Sequence, residues 1–220
     1  MRLEFDLDPA ATVRTLFLIV AVLAAASLTG QVATHFFGDG HLWGFVPEFN
    51  LDREMNVPTW FSGFLFLFSA ALLWKAGSLR FDSGGRFATY WRSLSILFIF
   101  LSIDEVAALH EMAVDPIRKA LHASGFLYFS WVSAGIVFCA VLALIYWRLV
   151  FSLRARTRTL FIVAAVLFLG GALGMEMIGG RWIEHHGSSN LTYVLMANAE
   201  EILEMLGQVI FIEGLFTLFP

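Results

Sequence analysis

Three short stretches place ionisable side chains inside strongly apolar sequence. "FIFLSIDEVAALHEMA" (98–113) holds Asp104, Glu105, His110 and Glu111. "LGGALGMEMIGGRWIEHHG" (169–187) holds Glu176, with Glu184, His185 and His186 at its end. "NAEEILEMLGQVIFIEG" (198–214) holds Asn198, Glu200, Glu201, Glu204, Gln208 and Glu213. A charge at the centre of a bilayer costs about 2.5–3.5 kcal/mol on insertion scales, so such groups are retained for ions, protons or substrates. Carboxylates from several helices with one imidazole are the ingredients of a metal site in a bundle core. The pattern departs from di-iron and di-manganese bundles in having no Glu-x-x-His; Glu201-x-x-Glu204 and the adjacent His110-Glu111 stand in its place. The candidate ligands are Glu111, His110, Glu176, Glu201 and Glu204. Asp104, Glu105, Glu200, Asn198 and Gln208 are expected to support them or relay protons. Oxygen-rich ligation with a single His suits Mn, Fe, Mg or Ca; Zn would follow if His185 or His186 reached in.

The elements that must position these residues follow from composition. Of 220 residues 59% are hydrophobic and only 15% charged, where a soluble domain carries about a quarter charged. One polytopic membrane unit is therefore expected: an all-α bundle with no linker or repeat. About 20 apolar residues cross a bilayer, and six stretches qualify: 14–37, 57–79, 89–113, 127–151, 158–184 and 190–218, with an outer loop at 38–56 running up to Trp60. Turn signals "FGDGH", "FDSGG", "AVDP", "HASG" and "HHGSSN" separate them. The acidic N-terminal segment and the long apolar run after it read as an uncleaved first span. Counting Lys and Arg by side gives ten against four with both termini cytoplasmic, the arrangement that short-loop positive charge favours. Trp60, Trp74, Trp91, Trp131, Trp147 and Trp182 are expected in interfacial belts.

This topology brings the acids to one depth. At about 1.5 Å of rise per residue, Glu176 lies roughly 27 Å beyond Arg158, and Glu200–Glu204 lie about 15–21 Å from the outer end of the last span. Asp104 and Glu111, seven apart, share a face of one helix at about 100° per residue, and Glu200, Glu201, Glu204 and Gln208 span an arc of about 100°. Gly170 and Gly174 form a small-xxx-small pair that would let the fifth helix approach its neighbours. His185, His186 and Glu213 are expected at the interfaces. The loop from Gly38 to Trp60 reads either as a lid over a cavity or as an interfacial amphipathic segment.

The stretches "LSIDEVAALHE", "GGALGMEMIGG" and "AEEILEMLG", with "NVPTWFSGFLFLFSAALL", resemble those of a group of uncharacterised bacterial polytopic membrane proteins, sometimes named automatically as multidrug transporters. The resemblance runs from about residue 55 onward. It implies a bacterial inner-membrane location and transfers no active site.

Several functions are excluded. The net charge of −4, without a basic stripe, gives nucleic acid no footprint. The lone Cys139 forms neither an internal disulfide nor a thiolate cluster. Walker, Gly-x-Ser-x-Gly, His-Glu-x-x-His and Rossmann motifs are absent from the sequence. Three readings stand: a metal-dependent membrane enzyme acting on a lipophilic substrate, a proton- or cation-coupled transporter, and a non-catalytic subunit of a membrane complex. A six-helix carrier without an inverted repeat would require a homodimer.

Overall fold

The computed structural model describes residues 7–38, 40–82, 85 and 87–219. The acidic residues Glu4 and Asp6, the charges of Arg2 and Arg86, and parts of the turns "FGDGH" and "FDSGG" lie outside the described residues, as does the side chain of Arg80. The described secondary structure is helical, without strands. Helix α1 (Pro9–Phe37) starts where the Asp8 carboxylate accepts the N–H groups of Ala10 and Ala11 at 2.9 and 3.3 Å. Pro9 occupies the first turn, where its missing N–H costs nothing. Its buried residues Val13, Leu16, Val20 and Leu23 repeat at three and four, so one stripe of a largely apolar helix faces the core.

After α1 the loop forms a short helix α2 (Phe45–Phe49) and returns into α3 (Val57–Asp82), which packs along α4 (Ala88–Ala107) as an antiparallel hairpin. The chain then bends by 74° into the segment Glu111–Leu121, whose helix α5 spans Val114–Leu121. A peripheral helix α6 (Trp131–Ser152) leads to α7 (Ala155–Leu169), a π-helical segment at Gly170–Met175, α8 (Glu176–His186) and α9 (Leu191–Phe216). α9 lies against α1, α3 and α7. Met205, Val209, Ile212 and Leu215 of α9, 0–1% exposed, close the core with Leu65 and Leu73 of α3.

Among the described residues, four stretches are long and apolar enough to cross a membrane: Pro9–Phe37, Val57–Leu79, Trp131–Ser152 and Ala155–His186; α4 with its bent continuation would be a fifth if the pair is one span. α9 has spanning length, but Glu200, Glu201, Glu204 and Glu213 make it too polar to qualify by composition.

Three local expectations change. The third apolar stretch is broken at 108–110, so Asp104 and Glu111 do not share one helix face. Trp91 is 0% exposed, edge-on to Phe161 in the core, and belongs to no belt. The close helix approach uses Gly171 and Gly207, not Gly170 and Gly174. A Cβ on Gly171 would lie 2.7 Å from the Glu200 carbonyl oxygen, and one on Gly207 would lie 2.7 Å from the Phe168 nitrogen, whereas Gly170 has nothing within 4 Å. The wide π turn decides which glycine meets α9.

One turn past Ser62 and Gln208, away from the loop, aromatic rings form a layer across the bundle. Phe98 stacks on Phe211 at 4.9 Å, Phe211 meets Phe161 at 4.6 Å, and Phe66 bridges Phe98 and Phe168 at 5.8 and 5.6 Å.

Candidate functional site

The break after α4 builds the first part of the site. Ala108 adopts the left-handed conformation (φ 49°, ψ 43°), which stops the helix, and its N–H donates to the Asp104 carbonyl. The Asp104 carboxylate then holds the turn: Oδ1 accepts the His110 backbone N–H at 2.9 Å, and Oδ2 lies 3.1 Å from His110 Nδ1. An ionised carboxylate only accepts, so Nδ1 carries the hydrogen and the Nε2 lone pair is left for a ligand. A carboxylate behind a histidine is the usual support of a metal-ligating imidazole. The Trp131 ring packs against the imidazole with centroids 4.9 Å apart.

Glu54 and Glu111 complete this part. Glu54, His110 and Glu111 each offer a ligand atom, all within 4.8 Å of one another. Glu54 Oε2 is buried and has no hydrogen-bond partner among the described residues. Burial raises the pKa of its carboxyl, the neighbouring His110 lowers it, and the Glu111 and Asp104 charges raise it. Asp52 is exposed as a residue, yet enough atoms crowd its carboxyl that desolvation pushes it up to about 6. The Tyr193 hydrogen bond opposes this, and the Glu176 and Glu111 charges add to it.

Glu54 belongs to the loop, and buried hydrogen bonds hold that loop in place. Ser27 Oγ donates to Asn198 Oδ1 at 2.7 Å and accepts the Leu51 N–H at 3.1 Å. Asn198 Nδ2 donates to the Val194 carbonyl at 2.8 Å, and Tyr193 Oη donates to Asp52 Oδ1 at 3.3 Å. Asn198 is therefore a loop anchor. Replacing it by Leu strands the Ser27 hydroxyl and is expected to cost the anchored loop about 1–3 kcal/mol. Trypsin cleavage after the exposed Arg53 should accelerate by roughly 5-fold or more, read by mass spectrometry of the digest.

The second part is a wall of acids on α9. Trp131 Nε1 donates to Glu176 Oε1 at 3.0 Å, and Glu200 of α9 neighbours Glu176. Glu201 feels the charges of Glu105, Glu54, Asp52 and Glu176; Glu204 feels those of Glu201, Glu105, Glu176 and Glu54. Below them Gln208 Nε2 donates to Ser62 Oγ at 2.8 Å. Glu176, the first residue of α8, directly follows the π segment. π turns inserted in α-helices often mark functional sites. At the rims, Glu213 faces Arg156 at 3.8 Å, and His186 stacks on Trp182 at 4.0 Å.

Of the candidate ligands, His110 and Glu111 come together with Glu54, while Glu176, Glu201 and Glu204 line the wall beside that triad. Glu54, Asp52 and Trp131 did not stand out in the sequence. The signal for the first two was a pair of acids, "LDRE", in a long loop following apolar residues; Trp131 looked like any interfacial tryptophan.

Comparison with curated proteins and with solved structures gives no match. One family model spans nearly the whole chain, residues 11–219, and by that match the chain belongs to the family described as Domain of unknown function (DUF8692).

Proposed function

We propose that this is an integral membrane protein that binds one divalent metal ion, Mn, Fe or Zn, through Glu54, His110 and Glu111. The observations that carry the reading are one ligand atom each from Glu54, His110 and Glu111 within 4.8 Å of one another, an orphaned Glu54 Oε2 among the described residues, and an imidazole whose Nδ1 is engaged by Asp104. One nitrogen and two carboxylates form a ligand set suited to these ions. A bound ion would activate water and stabilise developing negative charge. Around it, Asp104 orients the imidazole, Trp131 packs on it, and the acids of α9 stand ready to exchange protons.

An enzyme acting on a lipophilic molecule that enters from the bilayer fits this arrangement better than a carrier. The aromatic layer through Phe66, Phe98, Phe161 and Phe211 crosses the bundle about two helical turns from Glu105 and Glu204, on the side away from the loop, which supports a site reached from the loop side rather than a path through the bundle. The topology proposed with this reading has six spans, α4 being broken and α9 carried across by its buried acids. Both termini are cytoplasmic, in a bacterial inner membrane. A homodimer is compatible with the exposed face of α6, where Val132 and Leu149 are the buried residues.

The test is the metal content of purified protein by plasma mass spectrometry. About one equivalent is expected in the wild type, lost at least 10-fold in Glu54→Gln and in His110→Ala, with helix content unchanged. Metal-free wild type after reconstitution with Mn, Fe and Zn sinks the reading.

A further inference from the structure

We propose that the flank of the α3–α4 hairpin beside the triad is a lateral binding groove for the acyl chain of a membrane lipid with an amine-bearing headgroup. This names a substrate class for the proposed metal site; it rests on that reading for the chemistry done to the lipid, but not for the binding.

A pocket of about 490 Å³ opens at the loop end of the hairpin, between Glu48, Met55 and Asn56 of the loop and Val57, Trp60 and Val106 of the two helices. Ligand pockets run from about 300 to 1,000 Å³. Sequence ties this one to the triad: Met55 follows Glu54, and Val106 stands one turn before His110. The Asn56 side chain is spent within the loop. Its Nδ2 donates to the Asn50 and Pro47 carbonyls at 2.7 and 3.3 Å, and its Oδ1 accepts the Thr59 N–H at 3.1 Å. Met55, Val57, Trp60 and Val106 are left to meet an apolar ligand. Met55 is held at φ 58°, a region that residues with a Cβ seldom adopt, and its side chain is 86% exposed. A strained loop residue that holds an adaptable apolar side chain outward suits a binding edge.

From the pocket two apolar ridges run along the hairpin. Trp60, Phe64 and Leu67 follow one face of α3, and Val106, Ile103 and Ile99 follow one face of α4, at spacings of three and four residues. All six are 40–65% exposed. Close packing sets the ridges side by side: a Cβ on Gly63 would lie 2.7 Å from Val106 Cγ2, and Ser102 Oγ donates to the Gly63 carbonyl at 2.8 Å. Trp60 stacks on Phe64 at 6.1 Å. Val57–Leu79 is long and apolar enough to cross a membrane, so these ridges lie against hydrocarbon, where acyl chains are the solvent. That decides the occupant of the groove. Charge decides its headgroup. Glu48 is the ionisable side chain in the pocket lining, and Arg53, the cation of the loop, is not part of that lining. A carboxylate at the mouth attracts an ammonium group and repels an anionic headgroup.

Photolabelling of the full chain in nanodiscs of phosphoglycerol lipid tests this. Two probes carry the same diazirine acyl chain, one under a phosphoethanolamine and one under a phosphoglycerol headgroup, and adducts are mapped by mass spectrometry. Exposed residues of α6, such as Val137 and Leu144, report the ordinary lipid surround. The ratio of adducts at residues 55–60 and 103–106 to adducts on α6 should be roughly 5-fold higher for the ethanolamine probe. Glu48→Gln should bring the two probes together. Val106→Phe, which fills the pocket, should lower the ethanolamine ratio to that of the other probe, and Val57→Trp carries this arm if Val106→Phe loosens the hairpin. His110→Ala should lose metal and keep the ratio, which separates failure of this inference from failure of the metal reading. Equal ratios for the two probes in the wild type overturn the proposal, as does a ratio that neither filling variant changes.

Discussion

Asp104→Asn is expected to empty the proposed metal triad while leaving the fold intact. The Asn carbonyl can still accept the His110 backbone N–H that Oδ1 accepts at 2.9 Å, so the turn after Ala108 survives. The other end of the side chain becomes an NH2 group facing His110 Nδ1, previously 3.1 Å from Oδ2. Nδ1 must then accept, the hydrogen moves to Nε2, and the lone pair aimed at the ion is lost. Loss of such a supporting carboxylate typically weakens metal binding by about 10–100-fold. Equilibrium dialysis against Mn, Fe and Zn reads the affinity, and circular dichroism checks the helices. Asp104→Ala should add a structural loss, because the turn is then left without its carboxylate cap. Equal metal affinity in wild type and Asp104→Asn would remove His110 from the ligand set.

The second large effect is steric. Alanine at Gly207 would put a Cβ 2.7 Å from the Phe168 nitrogen and 2.8 Å from the Ala164 carbonyl oxygen, backbone atoms that cannot step aside. Alanine at Gly171 would meet the Glu200 carbonyl oxygen at 2.7 Å and the Glu204 Cγ at 2.8 Å. Each change forces α9 away from α7 or the π segment and is expected to cost about 1–3 kcal/mol. Gly170→Ala, with nothing within 4 Å, should stay within about 0.5 kcal/mol of wild type. Thermal unfolding in detergent separates the three. Gly171→Ala should also part Glu200 from Glu176, since the clash falls on the Glu200 carbonyl itself. If Gly170→Ala proved as damaging as Gly171→Ala, the register set by the π turn would be wrong.

The contrast between neighbouring glycines shows where sequence reading reached its limit. Hydropathy locates long helices because apolar content and length are local properties, and Val13, Leu16, Val20 and Leu23 keep their periodicity in the folded chain. The charge of Glu105 on α4 bears on Glu201 and Glu204 of α9. A straight helix was the wrong assumption at two places. The break at Ala108 carries neither Gly nor Pro; it rests on the Asp104 carboxylate folding back on His110, a contact that spacing alone does not reveal. The π turn at Gly170–Met175 adds width to the helix, so periodicity counted at 3.6 residues selects Gly170 and Gly174 where Gly171 makes the contact. Glu54 was hidden for a different reason. Its position is set by Ser27 and Asn198, far away along the chain, which fix the loop at Leu51.

The location of the triad gives the α3–α4 hairpin a clasp. Glu54 precedes α3 by three residues and His110 follows α4 by three, while the connection between the two helices lies at their far end. An ion held by both would fasten the open end of the hairpin, and at a concentration 100 times its dissociation constant it would add about 2.7 kcal/mol to the folded state. Chelators should then loosen these two helices before the rest of the molecule, and the proposed ion would double as a rivet for the scaffold that presents it.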